Sequence, residues 1–156
     1  MAYSGKFIPL NIKKYEGDPD KITYRSLWER GMMKWSDENP DVVKWSSEEI
    51  VIPYVSPVDN KVHRYYMDFK IEFKSGSILL VEVKPAHETR PPIRRKKQKS
   101  SRFLTEAKTF AVNDAKWKAA EKYATKRGWK FVIFTQDTLS NLGIGIAKPS
   151  AKKKTR

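Results

Sequence analysis

Three charged residues, Asp68, Glu82 and Lys84, lie at the ends of two strand-like segments in the middle of the chain. The first segment, residues 65–73, alternates apolar and polar residues, and the second, residues 77–84, is apolar on both faces. A Ser-Gly pair between them predicts a turn, and antiparallel pairing through it brings Asp68 to the strand end that carries Glu82 and Lys84. A strand with two apolar faces is usually central and covered on both sides. Unpaired charges buried there are costly, so these three groups need partners.

This set of groups has the chemistry of a divalent-metal site. Mg²⁺ takes hard oxygen ligands, commonly one or two carboxylates together with substrate phosphate and water, and Mn²⁺ accepts a similar set. Asp68 and Glu82 supply the carboxylates, and the backbone carbonyl of Val83 is within reach of the same ion. The Lys84 ammonium could hold the attacking water or a transition-state phosphate. The alternative interpretation is a salt bridge of Glu82 with Lys84 or Lys70 on an edge strand, which predicts no metal.

A helix is predicted ahead of these strands, over residues 23–35. Glu29 lies one residue away from its apolar stripe, at the boundary where a side chain can reach past the packing surface. One role for it is capping, because Ser26 and Glu29 have the spacing of a capping box. We expect Thr23 to be the N-cap, because a cap at Ser26 would leave Tyr24 outside the helix.

The other elements follow from periodicity and from helix and turn signals. They are a strand over 49–55, a helix over 103–111, a second helix over 115–127 that begins after an interruption at Asn113 and Asp114, a strand over 129–135, and a short helix over 136–142. The strand over 129–135 returns from a helix, so it is expected to lie parallel to the strand of Glu82. The order α-β-β-β-α-α-β predicts an α/β protein in which helices flank a mixed sheet.

The net charge of +14 is concentrated in two segments. Residues 85–102 carry a net charge of +6 and residues 148–156 carry +5, which leaves +3 for the other 129 residues. This charge pattern suits binding to the phosphate backbone of a nucleic acid. An anionic membrane or an acidic protein would fit the charge too, but neither explains the carboxylates of Asp68 and Glu82. We predict a basic loop over 85–102 that is disordered in isolation and clamps DNA, and a basic tail over 147–156. The predicted DNA contacts are Arg64, Arg94, Arg95, Lys96, Lys97, Lys99 and Arg102.

Length and composition limit the classes of protein and of site that this chain can form. With 156 residues, 39% of them hydrophobic, the chain is expected to form one domain over 1–156, with an irregular, loosely packed arm over 1–20. No apolar run approaches the ~18 residues of a membrane span, so no membrane partner is expected. The chain has no cysteine, which excludes disulfides and thiolate metal sites. It also lacks a Gly-rich phosphate loop, so no nucleotide cofactor is predicted.

Asp68 followed by the sequence Glu82-Val83-Lys84 resembles the core of the PD-(D/E)XK nuclease superfamily, in which an Asp opens one strand and a Glu-x-Lys motif ends the next. The sequence YRSLWE, which ends at Glu29, resembles the (F/Y)RSxxE motif of phage junction-resolving and TnsA-type transposon nucleases. Most of the chain, including GDPDKITYRSLWE, VIPYV and VEVKPAHETRPP, resembles the head-completion nucleases of tailed phages. Met67 stands where the superfamily name has Pro, at a variable position that ligates nothing.

The resemblance implies a restriction-endonuclease-like α/β/α core with a mixed central sheet and a metal-dependent DNA phosphodiesterase. The catalytic residues that it implies are Glu29, Asp68, Glu82 and Lys84. Mg²⁺, or Mn²⁺, would be held by Asp68, Glu82, Glu29 and the Val83 carbonyl.

The resemblance also implies a biological role. The expected substrate is packaged double-stranded phage DNA, cut internally or trimmed from its ends so that filled heads can join tails. Portal or neck proteins of the head would be partners, in the host cytoplasm during assembly and then in the virion. Two alternatives remain open: a non-catalytic DNA-binding protein that caps the filled portal, and a junction resolvase or transposon-end nuclease.

Overall fold

The computed structural model describes residues 4–145. These residues form a four-stranded mixed sheet and the helices that flank it. In chain order the elements are β1 (Gly5–Lys6), β2 (Thr23–Tyr24), α1 (Leu27–Glu38), β3 (Val42–Ser47), β4 (Val51–Val55), β5 (Val62–Tyr66), β6 (Phe69–Phe73), β7 (Ile78–Val83), α2 (Ser100–Lys126), β8 (Lys130–Phe134) and α3 (Gln136–Asn141). The central sheet has the strand order β3-β6-β7-β8, so the predicted mixed α/β architecture is confirmed. The predicted basic tail, residues 147–156, lies outside the described residues.

β7 occupies an interior position in the sheet, as its two apolar faces predict. It pairs antiparallel with β6, where Phe69 lies opposite Val81, and parallel with β8, where Glu82 lies opposite Ile133. Leu80 and Val81 point to opposite faces of the sheet, and both are fully buried. The central position of this strand and the parallel pairing of β8 are therefore confirmed.

An apolar core lies on each face of the sheet. The core on the α1 face includes Met32, Met33, Trp45, Ile71 and Val81. The core on the α2 face includes Ile52, Tyr65, Leu80, Trp117, Ala120 and Ala124. The hairpin of β4 and β5 is a separate two-stranded sheet that packs in this second core together with α2.

The chain passes from the hairpin to the central sheet at Met67 and Asp68. The strand predicted over 65–73 is therefore two strands, because β5 pairs with β4 while β6 pairs with β3 and β7. β3 was not predicted. It is an edge strand whose register shifts between Val42 and Lys44, and Trp45 anchors it in the core with no exposed surface.

α1 begins at Leu27 with Ser26 as its N-cap, because the Ser26 hydroxyl accepts the backbone N–H of Glu29 at 3.1 Å. The expectation that Thr23 caps the helix is wrong, since Thr23 lies in β2. The buried face is also displaced from the predicted apolar stripe of Tyr24, Leu27, Trp28, Gly31 and Trp35, which are only partly buried. Its fully buried residues are Met32, Met33, Ser36 and Asp37. Helical spacing places Glu29 on this buried face, one turn before Met32 and Met33, and not at the boundary of the face as predicted.

Residues 4–22 are largely irregular, but they are not loosely packed. The buried carboxylate of Asp37 accepts the backbone N–H of Leu10 at 2.8 Å, and its backbone carbonyl accepts from Lys14 Nζ at 2.8 Å. Tyr15 packs edge-on against Trp45, with 4.8 Å between the ring centroids. The expectation of a loosely packed arm is therefore wrong, because these residues complete the core on the α1 face.

α2 is one helix of 27 residues, so the predicted interruption at Asn113 and Asp114 is wrong. Asp114 forms an ion pair with Lys118 one turn later, at 2.9 Å. Phe110 and Trp117 pack edge-on across the same stretch, with ring centroids 6.1 Å apart, and this contact favours a continuous helix. Although α2 is long, neither it nor any other helix within residues 4–145 is apolar enough to cross a bilayer.

The Asn113→Ala variant tests whether α2 is continuous. Asn is less favourable than Ala in a helix interior, so we expect the free energy of unfolding to rise by roughly 0.5 kcal/mol. If Asn113 were instead the N-cap of a second helix, the same change would lower the free energy of unfolding by about 1 kcal/mol. Urea unfolding followed by circular dichroism measures the sign.

Candidate active site

Asp68 lies at the corner where the chain leaves the hairpin and enters β6. The neighbouring Met67 is fully buried and fixes this corner in the core. The Asp68 carboxylate turns toward β7, where its Oδ2 accepts the backbone N–H of Val83 at 2.8 Å. This contact confirms that the pairing of β6 and β7 brings Asp68 to the end of β7.

Glu82 and Lys84 lie side by side at the same strand end. Glu82 is only 7% exposed; its Oε1 accepts the phenol O–H of Tyr65 at 2.5 Å, and its Oε2 lies 3.5 Å from Lys84 Nζ. The pairing of Glu82 with Lys70 does not occur, since Lys70 pairs with Glu16 at 3.1 Å. The pair of Glu82 with Lys84 is present, but on a buried interior strand rather than on a solvated edge.

Burial and like charge raise the energy of this site when both carboxylates are ionised. Burial is the main cause that raises the pKa of Asp68 well above its ordinary value of 3.8, and the charge of Glu82 adds to it. The Val83 N–H and the Lys84 ammonium lower the pKa of Asp68 only in part. Burial, followed by the charge of Glu82, also raises the pKa of Tyr65, so the phenol stays protonated and remains a hydrogen-bond donor.

Glu29 approaches the same carboxylates from the first turn of α1. Its Oε1 accepts the backbone N–H of Arg25 at 2.9 Å. Burial is the main cause that raises the pKa of Glu29; the Arg25 N–H opposes this rise, and the charges of Glu48 and Glu82 add to it. The two interpretations of Glu29 are therefore compatible: its backbone N–H takes part in the cap with Ser26, while its side chain interacts electrostatically with Glu82.

Arg25 and Glu48 connect the N-terminus of α1 to the corner of Asp68. Glu48 has a left-handed backbone conformation with φ of 57°, which is uncommon for a residue other than glycine. Its backbone N–H points at the carbonyls of Met67 and Asp68, at 3.1 and 3.3 Å. Its carboxylate forms an ion pair with the Arg25 guanidinium. The pair thus links the two segments that carry Glu29 and Asp68.

Three residues that support the site were missed in the sequence: Tyr65, Arg25 and Glu48. Tyr65 belongs to a predicted strand and looks like an ordinary core position, so only its contact with Glu82 shows its role. Arg25 is part of the YRSLWE segment, so the resemblance of that segment to a nuclease motif was a signal that could have identified it. Glu48 gave no signal, because its conformation arises where two sheets meet.

The donor set fits a hard divalent cation through two carboxylates. Mg²⁺ is commonly bound by one or two carboxylates together with phosphate and water, and Asp68 and Glu82 match that requirement. Within residues 4–145 no group of three or more His, Asp or Glu side chains is positioned to hold one ion. Glu29 therefore does not complete a three-carboxylate group with Asp68 and Glu82 in this conformation.

The predicted DNA contacts lie in two places. Arg64 is exposed on β5, opposite Pro53 of the hairpin. The others lie between the Ala86–Thr89 turn and the first turn of α2. This segment is attached to α2 by Glu106, whose carboxylate lies 3.2 Å from Arg95. The same carboxylate pairs within α2 with Arg102, at 3.8 Å. The exposed lysines of the segment are Lys96, Lys97 and Lys99.

Comparison with known proteins places this site in a family. The family model described as TnsA-like endonuclease N terminal matches residues 39–136, which include Asp68, Glu82 and Lys84. The chain belongs to this endonuclease family and is a nuclease. Within the class it is similar to the head completion nuclease of Enterobacteria phage T4, with 48% identity over 146 residues that cover 92% of this chain and 97% of the relative. No solved structure matches the chain. The resemblances to head-completion nucleases and to PD-(D/E)XK nucleases of the TnsA type are thereby confirmed.

The Tyr65→Phe variant removes the O–H donor of the buried Glu82 carboxylate. We expect the free energy of unfolding to fall by about 1.5–3 kcal/mol, the range for a hydrogen bond to a charged group. Tyr66→Phe is the matched control, because Tyr66 is 48% exposed and its loss should change stability by less than about 0.5 kcal/mol. Equal effects of the two variants in urea unfolding would contradict the role of the Tyr65 hydroxyl.

The Asp68→Asn variant tests how much the ionised Asp68 carboxylate lowers the stability of the folded protein. The folded-state pKa of Asp68 is raised above its unfolded value, so the folded protein binds a proton more tightly than the unfolded chain. Metal-free wild type should therefore lose stability as pH rises from the ordinary value of 3.8 through the raised pKa.

Asn cannot ionise, so the variant should lose less stability over this range and be the more stable protein at neutral pH. Urea unfolding in EDTA across a series of pH values measures the difference. The control Asp41→Asn, at an exposed position, should follow the wild-type profile. A wild-type pH profile parallel to that of Asp68→Asn would show that Asp68 carries no such penalty.

Proposed function

We propose that this chain is a Mg²⁺-dependent DNA endonuclease that acts during phage head completion, with residues 1–156 as one nuclease domain. The observation that carries the proposal is the placement of Asp68, Glu82 and Lys84 at one end of β7, where the buried carboxylate of Glu82 and the half-buried carboxylate of Asp68 lie together. A buried pair of like charges is stable only with a compensating cation or proton, and a single lysine at 3.5 Å compensates in part.

Asp68 and Glu82 hold the cation in this proposal, with the Val83 carbonyl as a further oxygen ligand and Glu29 acting through water. Mg²⁺, or Mn²⁺ in its place, supplies polarisation of the scissile phosphate and acidifies the attacking water. TnsA-like endonucleases are usually metal-dependent, which supports this assignment.

Lys84 has two tasks at the reacting phosphate. Its side chain is 22% exposed, so the ammonium can reach both Glu82 and a phosphate that approaches from solvent. There it orients the attacking water and offsets the negative charge that develops in the transition state. Tyr65 and the Val83 N–H support the chemistry indirectly, because each fixes one oxygen of a carboxylate and so orients the whole group.

Double-stranded DNA is the proposed substrate, held through its backbone by the cations of the 85–102 loop. Since phosphate contacts carry no direct base information, we expect little sequence preference. The name of the similar T4 protein, head completion nuclease, supports a role in head completion. In this proposal the protein cuts or trims packaged DNA so that filled heads join tails. Portal or neck proteins would then be partners, in the host cytoplasm during assembly and afterwards in the virion.

Plasmid nicking tests the chemistry. Wild type with Mg²⁺ should nick supercoiled plasmid, and EDTA should abolish the reaction. Asp68→Asn and Lys84→Ala should each reduce the rate by at least about 100-fold, since each removes a group that acts on the transition state. Asp41→Asn and Lys74→Ala make the same changes at exposed positions and should retain the wild-type rate.

Other outcomes of this assay separate the alternatives. DNA binding without cutting by any of the proteins would favour the non-catalytic capping protein. A strong preference for four-way junctions over linear duplex would favour a resolvase, and cutting confined to specific end sequences would favour a transposon-end nuclease.

Salt dependence tests the role of the basic loop. Changing Lys96, Lys97 and Lys99 together to Gln should lower the slope of log K against log salt concentration by about 2.7, if each lysine neutralises one phosphate. The control changes three exposed lysines of α2, Lys108, Lys122 and Lys126, to Gln. Fluorescence anisotropy with a labelled duplex gives both slopes, and equal slopes would show that the loop is not the DNA-binding element.

A further inference from the structure

Ile93 is an apolar side chain exposed in the middle of the most basic segment of the molecule. It is 83% exposed, the largest value among the exposed large hydrophobic side chains within residues 4–145. Its neighbours in the loop are cations on both sides, Arg90 before it and Arg94 after it. The cations account for attraction to phosphate, but they do not explain why an isoleucine lies among them.

The loop holds Ile93 in a defined position. Two prolines, Pro91 and Pro92, precede it and fix their own backbone φ angles. After it, the guanidinium of Arg94 donates to the Gln98 carbonyl at 3.1 Å. The backbone N–H of Arg95 donates to Gln98 Oε1 at 2.9 Å. The ion pair of Arg95 with Glu106 then attaches this turn to α2. An apolar side chain held in this way loses little conformational freedom when it binds.

A cleft of about 560 Å³ lies behind Ile93, between the loop and α2. Its apolar walls come from Pro92, Ile93 and Phe110, and its polar lining consists mainly of Arg90, Arg102 and Asn113 with the carboxylates Glu88 and Glu106. The volume is within the range of pockets that enclose a ligand the size of one nucleotide, and it is far too small for a duplex. The lining offers apolar surface for a base and an amide for its edge. Arg90 offers a guanidinium for a phosphate, while Arg102 already pairs with Glu106 at 3.8 Å.

The position of the cleft connects it to the candidate active site. Its lining begins at His87, three residues after Lys84. A DNA strand whose phosphate lies at Lys84 therefore passes close to the loop. Apolar side chains such as Ile insert between base steps in several classes of DNA-binding protein, where they unstack the bases and kink the duplex.

We propose that Ile93 inserts into duplex DNA as a wedge and that the cleft between the loop and α2 receives the nucleotide it displaces. This inference rests on the proposed function and specifies its substrate class: DNA with an unpaired or easily frayed nucleotide beside the scissile phosphate. Such DNA binds more tightly than a perfect duplex, because its unstacking has already occurred.

The experiment uses binding alone, in the full-length Asp68→Asn background, so that it does not depend on cleavage. The probe is a duplex that contains 2-aminopurine, whose fluorescence rises when it leaves the base stack. Saturating Asp68→Asn protein should raise the fluorescence at least about threefold, and Asp68→Asn with Ile93→Ser should lose most of this rise. The matched control is Leu104→Ser in the same background, because Leu104 is 57% exposed on α2 and should leave the signal intact.

A second measurement compares affinities. Asp68→Asn protein should bind a duplex with one unpaired nucleotide at least about tenfold more tightly than the perfect duplex, and Ile93→Ser should reduce that ratio toward one. The absence of a fluorescence rise on binding, a rise that survives Ile93→Ser, or equal affinity for the two duplexes would overturn the wedge. These binding measurements are independent of plasmid nicking. If wild type nicks plasmid but the Asp68→Asn protein gives none of the expected binding results, the wedge is refuted and the nuclease proposal still stands.

Discussion

The removal of two neighbouring carboxylates from water, to which their mutual repulsion adds, is the main energetic cost of this protein's candidate site. Asp68 and Glu82 lie together at the end of an interior strand, where the low dielectric strengthens like-charge repulsion and penalises each charge separately. Among residues 4–145, the groups that pair with these carboxylates are one ammonium, one phenol and one backbone N–H. The surrounding fold, stabilised by an apolar core on each face of the sheet, tolerates this unfavourable pair.

The rest of the molecule holds that pair in place. The buried β7 carries Glu82, and the passage of the chain from hairpin to central sheet places Asp68 beside it. The left-handed conformation of Glu48 and its ion pair with Arg25 tie the corner of Asp68 to the first turn of α1, and hence to Glu29. Local strain of this kind is typical of functional sites, where surrounding packing fixes an otherwise unfavourable geometry.

In our proposal the basic loop both attracts and distorts DNA. Its lysines are exposed to solvent, while Arg95 is fixed to α2 through Glu106. The order of the loop therefore comes from α2, which explains why a segment of this composition, expected to be disordered in isolation, has a defined shape in the whole chain. A loop fixed beside the end of β7 can bring both cations and an apolar side chain to the strand that is cut.

The parts of this fold that follow local rules could be predicted from the sequence, and the parts set by long-range packing could not. The apolar residues on both faces of β7 predicted its central position in the sheet, and the charged residues at its end predicted the candidate active site. The break between β5 and β6 was hidden, because apolar alternation continues while the pairing partners change.

Two helix errors have a similar origin. α1 buries Ser36 and Asp37 beside its methionines, so its buried face does not look apolar and the predicted stripe was displaced. α2 continues through Asn113 and Asp114 because packing outweighs their weak helix propensity. Tyr65 and Glu48 support the site through contacts that appear only once separate strands are brought together.

Divalent-metal binding by the protein without DNA tests the central claim most directly. Calorimetric titration of Mn²⁺ into wild type should show binding that is lost in Asp68→Asn and in Glu82→Gln and is retained in Asp41→Asn. The same Mn²⁺ should raise the unfolding temperature of wild type and not that of the two site variants. Mn²⁺ affinity that is unchanged by both site substitutions would contradict the claim that these two carboxylates lie together at the end of β7 to hold a cation.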